Sequence, residues 1–173
     1  RLLDPCCGCG AFLLPAYDLL VEMYSEERRL ADAGVIPPEW VTAEADVPAT
    51  IVETNLWGAD LDSVAVDLVT AAMARRAGAQ VVPNLHVPAL PIGSLASDNW
   101  PTQQFDVVVT NPPYVGFRQL NPSVKDAVRA ADPYARSDLA VAFQSRVFGL
   151  LADGGLAGTV TPGRRVHGKF SIQ

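Results

Sequence analysis

The sequence predicts an α/β fold, a mostly parallel sheet with helices on both faces. Short apolar, β-branched runs alternate with helical patterns of ten residues or more, as in successive strand–helix–strand units. A glycine-rich turn, Asp4-Pro5-Cys6-Cys7-Gly8-Cys9-Gly10, joins the first such run to the first helix, where α/β sheets place their ligand sites. The 173 residues are 49% hydrophobic and 18% charged, enough to bury one core and too apolar for a disordered chain.

Leu2 and Leu3 run into Asp4-Pro5 as the end of a buried strand. Leu13, Ala16, Leu20 and Met23 then recur at steps of three and four, one apolar stripe of a helix with Pro15 in its first turn. Residues 31–48, rich in Pro, Glu and Ala, read as an inserted connection. The run from Ile51 to Asp60 ends in a buried strand, Leu56-Trp57-Gly58-Ala59-Asp60. Asp62 is placed to cap the next helix, with Val64, Leu68 and Ala72 expected on its inner face. Residues 78–104 are Pro-rich, with weak strand signals near Val81-Val82 and Leu90-Ile92.

Phe105 to Thr110 is the clearest strand, and the loop Asn111-Pro112-Pro113-Tyr114 follows it. A helix is predicted over Asp138 to Leu151, with Leu139, Phe143, Val147 and Leu150 inward and Gly154-Gly155 stopping it. Leu156 to Thr161 is the last predicted strand. Such alternation implies right-handed crossovers and a covered parallel sheet.

The chain carries 13 basic and 19 acidic residues, unevenly placed. Up to residue 106 there are 5 basic and 15 acidic side chains, and beyond it 8 basic and 4 acidic. The basic half, with Arg118, Lys125, Arg129, Arg136, Arg164, Arg165 and Lys169, is able to face a polyanion. No apolar stretch of about 18 residues or more is present, so a membrane-spanning helix is not expected. With no basic-then-apolar leader and three bunched cysteines, the expected setting is the reducing cytoplasm.

Two cofactors compete for the glycine turn. A dinucleotide site wants G-x-G-x-x-G, but Leu13 stands at the third glycine, and Asp4 would repel a pyrophosphate. A carboxylate suits a ligand carrying an ammonium and a sulfonium, which is S-adenosylmethionine. Asp60, ending the next strand, is placed to accept both hydroxyls of a ribose. Zinc would need about four N/S ligands; Cys6, Cys7 and Cys9 read instead as small side chains packed beneath the turn, and no metal is expected.

In Asn111-Pro112-Pro113-Tyr114 an amide oxygen and the Pro112 carbonyl give two acceptors, stiffened by two prolines, and Tyr114 gives a flat face for a planar group. That set suits methylation of an amino group conjugated to a ring. Binding both N–H groups localises the nitrogen lone pair and stabilises the charge that develops in transfer.

The residues from Asp4 to Leu13 resemble the D-P-x-x-G-x-G-x-F-L cofactor motif of N6-adenine DNA methyltransferases. Asn111 to Tyr114 matches their N-P-P-Y motif, and Asn55 to Asp62 resembles their N-L-x-G-x-[DE]-[IL]-D motif. Ser137-Asp138-Leu139 and Leu151 to Gly155 fit the helix and strand beyond the catalytic loop. The pattern is most similar to large enzymes of phage-defence (BREX-type) and restriction-modification systems.

The resemblance implies a Rossmann-like S-adenosylmethionine methyltransferase core over residues 1–173, with a cofactor half, 1–104, and a catalytic loop, helix and strand over 105–173. It implies cofactor binding by Asp4, Pro5, Gly8, Gly10, Phe12, Asp60 and Leu61. Ser94, in Ile92-Gly93-Ser94-Leu95, stands where the family usually has an acidic or amide residue near the cofactor adenine, with Asp98 the other substitute. Asn111, Pro112, Pro113 and Tyr114 would hold a flipped adenine, and Arg118, Lys125, Arg129 and Arg136 would meet DNA phosphates.

The expected partners are double-stranded DNA and other defence-system subunits. The strand pair that normally closes the sheet, the helix before the glycine turn and a target-recognition domain are missing, so a longer parent chain is expected. Two alternatives stand beside this reading. Release-factor glutamine methyltransferases share Asn-Pro-Pro-Tyr, because a glutamine amide is an equally poor nucleophile; the third reading is a cofactor-binding fragment without activity.

Overall fold

Five parallel strands form one sheet in the computed structural model, which describes residues 1–78, 81–88, 104–131 and 139–161. They are β1 (Leu2–Asp4), β2 (Leu56–Ala59), β3 (Asn84–His86), β4 (Phe105–Thr110) and β5 (Leu151–Thr159), in the spatial order β3-β2-β1-β4-β5. Every described pairing is parallel, with Leu3 opposite Trp57 on one side and Val108 on the other. The chain builds outward from β1 to β3, then returns to pair β4 on the free side of β1. Ligands of such sheets bind beyond the carboxyl ends of the strands at a reversal of this kind, here β1 and β4.

Successive strand residues face opposite ways, so Leu2 and Leu3 begin two separate cores. Leu2 and Leu56 meet α1 (Leu13–Asp32), α2 (Val47–Thr50) and α3 (Ser63–Ala77) in a cluster with Leu13, Tyr17, Ile51, Val52, Val69 and Met73. On the other face, Leu3, Ala59, Phe105 and Val108 pack with Val147 and Leu150, from α5 (Leu139–Phe148) and the turn after it. A third cluster joins α5 to α4 (Pro122–Ala131) through Val124, Val128, Leu139 and Phe143. Deleting a fully buried Leu such as Leu3 or Leu13 would cost roughly 2–5 kcal/mol.

Several expectations shift by a residue or two. In α1 Leu13, Ala16 and Leu20 face the core as expected, joined by Tyr17 and Tyr24, whereas Met23 is exposed; the Tyr24 hydroxyl donates to Asn55 Oδ1 at 2.9 Å. In α3 the Asp62 carboxylate does cap the helix, accepting from Val64 N at 2.9 Å. The buried face is nevertheless Ala65, Val66, Val69, Met73 and Ala77, while Val64 and Leu68 are exposed. The buried stripe lies one residue on from the expected one, about 100° around the helix.

The third strand is Asn84–His86, not Val81-Val82, and the signal at Leu90-Ile92 lies outside the described residues. Gly154 and Gly155 do not stop a helix, since α5 ends at Phe148. They bulge β5, whose pairing moves from Phe105↔Leu151 to Val107↔Leu156. A Cβ on Gly155 would sit 2.9–3.1 Å from three backbone oxygens, so only glycine fits there. The short helix α4 is an addition to the elements expected from the sequence.

Candidate active site

The glycine turn is tied to both neighbouring strands. Cys7 N donates to Ala59 O at 2.9 Å, Gly8 N to Asp60 Oδ2 at 2.8 Å, and Cys6 N to Asp4 Oδ1 at 3.1 Å. Gly8 and Gly10 take φ of +48° and +88°, the left-handed region that glycine enters freely. Nothing lies within 4 Å of where a Gly8 Cβ would be, so its backbone is open to a ligand. A Gly10 Cβ would lie 2.4 Å from Val69 Cγ2, so Gly10 lets the turn press onto α3. Gly58 has the same function in β2, where a Cβ would meet Leu13, Leu85 and Cys7.

Asp4 and Asp60 lie at the carboxyl ends of adjacent strands, β1 and β2. Asp4 is 1% exposed, and burial pushes its carboxyl from 3.8 up to about 7; the Cys6 N–H opposes the rise and the Asp60 charge adds to it. A carboxyl held this way gains most from a cation placed beside it. Asp60 Oδ1 also accepts from Asp62 N at 3.0 Å. A carboxylate offers about four lone-pair sites, so Asp60 keeps acceptor capacity for further hydroxyls. Pro5 is buried, Phe12 precedes α1 half-buried, and Leu61 is 52% exposed beside Asp60.

The thiols behave as packing groups at two of three positions. Cys7 lies in the α1–α3 core, and burial first, then the Asp4 charge, pushes its thiol up to about 12. Cys6 packs against the α4–α5 cluster with its thiol beside the Thr110 hydroxyl, and burial raises it still further. Cys9 is exposed. Among the described residues no group of three or more His, Cys, Asp or Glu is placed to hold a metal.

The second loop leaves β4, the strand on the other side of β1. Pro112 is buried and Tyr114 is 44% exposed. Tyr114 Oη lies 2.6 Å from Asn111 Oδ1 and 2.9 Å from Val160 O. Val160 N in turn donates to Thr110 O at 2.9 Å, so the loop is pinned to the end of β5. The glycine turn and this loop thus open from neighbouring strands at one end of the sheet.

Beyond the loop, Phe117 gathers the cations. Arg129 stands 5.1 Å and Lys125 6.0 Å from its ring centre, and Lys125 Nζ donates to Arg118 O at 3.2 Å. Arg129 also reaches Asp126 at 3.4 Å, an exposed pair of little energetic weight. Ser94, Asp98, Arg136, Arg164, Arg165 and Lys169 lie outside the described residues. Sequence reasoning missed Val160, whose part is played by a backbone carbonyl and leaves no side-chain signal. It also passed over Gly58, visible only as a small residue within a strand motif.

A parallel sheet with a glycine turn on β1 and a rigid polar loop on the adjoining β4 defines a methyltransferase domain. The chain belongs to the family described as RMKL-like, methyltransferase domain, which matches residues 1–125. Residues 92–171 match a second family, the Eco57I restriction-modification methylases. Over 53 residues the chain is 38% identical to the adenine-specific methyltransferase BrxX of Escherichia coli O9:H4 (strain HS), a match covering 31% of this chain and 4% of that protein.

Solved structures agree on the fold. The modification subunit of a type I restriction enzyme from Vibrio vulnificus YJ016 superposes with TM-score 0.52 at 20% identity, over 86% of this chain and 26% of that one. A class I S-adenosylmethionine-dependent methyltransferase from Listeria monocytogenes gives 0.57 at 16% identity, over 96% and 40%. The chain therefore spans well under half the length of these relatives.

Proposed function

We propose that this domain transfers a methyl group from S-adenosylmethionine to the N6 amino group of adenine in double-stranded DNA, as part of a restriction-modification or phage-defence system. The observation that carries the reading is the Asn111–Tyr114 loop, pinned beside the glycine turn at the point where the strand order reverses. The residues present suit the cofactor: an open backbone at Gly8, a buried carboxyl at Asp4 for a cation, spare acceptors on Asp60 for a ribose, and exposed Leu61 as an apolar platform. When bound, S-adenosylmethionine supplies an electrophilic methyl group on a sulfonium.

The chain's own residues prepare the nucleophile. Asn111 Oδ1 and the Pro112 carbonyl accept the two N–H bonds of the adenine amino group, which draws its lone pair out of the ring. The same two dipoles stabilise the positive charge that grows on nitrogen during transfer, and the surplus proton then leaves to water. The ring of Tyr114 stacks on the base, worth roughly 1–3 kcal/mol. An adenine inside a duplex cannot reach such a loop, so the base is flipped out at a cost of a few kcal/mol.

Lys125 and Arg129, held on Phe117 near the loop, favour a phosphate backbone over a glutamine-bearing protein as the substrate. The parent protein and its partners, including other defence subunits, belong to the same proposal. Replacing the target adenine with 2-aminopurine tests the flipping step. Fluorescence should rise severalfold when the full-length protein and cofactor bind, and a probe that stays quenched would contradict the reading.

A further inference from the structure

Two oxygens compete for one proton at the catalytic loop. Tyr114 Oη approaches both Asn111 Oδ1 and the Val160 carbonyl, at 2.6 and 2.9 Å. A phenol carries a single hydrogen, so it serves only one of them. The Val160 carbonyl is backbone, fixed where Val160 N bonds Thr110 O one step beyond the Thr110↔Thr159 pair. The Asn111 amide is adjustable, because a half-turn about one bond exchanges its oxygen and nitrogen.

We propose that Tyr114 is a positioning residue: its hydroxyl donates to the Val160 carbonyl and accepts an N–H from Asn111, which turns the Asn111 oxygen toward the substrate amino group. The proposal rests on the adenine-methylation reading and deepens it. In this sense of the chain each atom has a suitable partner. Val160 O accepts, Tyr114 Oη donates once and accepts once, and Asn111 Nδ2 donates. Asn111 Oδ1 is left for the incoming N–H.

The opposite sense fails twice. It takes the Tyr114 O–H away from the Val160 carbonyl, and it presents the Asn111 NH2 to an amino group that must itself donate. Ring and hydroxyl of Tyr114 therefore have separate functions. The exposed face receives the base, and the phenol oxygen, anchored to the end of β5, sets the direction of the acceptor.

Tyr114→Phe separates the two, because it keeps the stacking face. In the full-length protein, with duplex DNA and labelled S-adenosylmethionine saturating, single-turnover methylation should fall at least roughly tenfold. Cofactor affinity, DNA affinity and 2-aminopurine brightening should stay within about twofold of wild type. A rate within about twofold of wild type overturns the proposal, as does a loss seen only in binding. The wild-type protein gives a second reading without any variant or substrate. With 15N-labelled asparagine, the Asn111 NH2 protons should show Overhauser contacts to the Tyr114 ring protons beside the hydroxyl, and their absence overturns it. Wild-type protein that methylates no adenine defeats the underlying reading instead, and leaves the amide contact to be judged on its own.

Discussion

Burial keeps the Asp4 carboxyl protonated to about pH 7, against 3.8 in the unfolded chain. The folded state therefore binds that proton more tightly. As pH rises from about 4 to about 7 this group erodes stability by up to about 1.4 kcal/mol per unit, and the loss is complete above about 7. Asp60, Cys6 and Cys7 face the same carboxyl, and none supplies a positive charge. Asp4→Asn should flatten melting temperature against pH over that range and raise it at pH 8. Cofactor affinity by calorimetry should fall at least roughly tenfold, since hydrogen bonds to charged groups contribute about 1.5–3 kcal/mol. A variant whose pH profile runs parallel to wild type would refute this account of Asp4. At this scale the placement of Asp4, Gly8, Gly10, Asp60 and Asn111 to Tyr114 at strand ends was legible, because each follows directly on an apolar run or belongs to a glycine turn. The orientation of the Asn111 amide was not legible, since it depends on the backbone of Val160.

Among the elements, β1, β2, β4 and α5 were readable because each is a dense apolar run with one side or both buried. α3 was readable in place but not in phase, since Val64, Leu68 and Ala72 form one apolar stripe and Ala65, Val69 and Met73 another beside it. α4 was hidden by its opening proline, although Asn121-Pro122 is a start signal: Asn121 Oδ1 accepts from Val124 N at 2.9 Å. β3, only three residues with polar ends, is a strand because β2 pairs with it. The glycine turn allows a comparison within one element. Gly8→Ala meets open space and costs only its strained φ, about 1–2 kcal/mol, whereas Gly10→Ala adds a collision with Val69, typically about another 1–3 kcal/mol. Gly10→Ala should melt several degrees below Gly8→Ala in thermal denaturation. Equal melting points would mean the turn does not press on α3 as described.

For the molecule as a whole, charge is unevenly divided along the chain. The acidic first part holds the glycine turn, and Lys125 and Arg129 stand over Phe117 beyond the Asn111–Tyr114 loop. Among the described residues no helix is long and apolar enough to cross a membrane. Neutralising Lys125 and Arg129 together should lower the slope of log DNA affinity against log salt by about 0.9 for each phosphate that is no longer neutralised. An unchanged slope would make the cluster a solvated face. The central claim, that the two loops at the strand reversal methylate adenine, is tested most directly by the product. Full-length protein incubated with labelled S-adenosylmethionine, duplex DNA and a glutamine-bearing release factor, then digested to nucleosides and amino acids, should place the label on N6-methyladenine, and Asn111→Ala should abolish it. Label on methylglutamine or on another base, or full adenine methylation by Asn111→Ala, would contradict it.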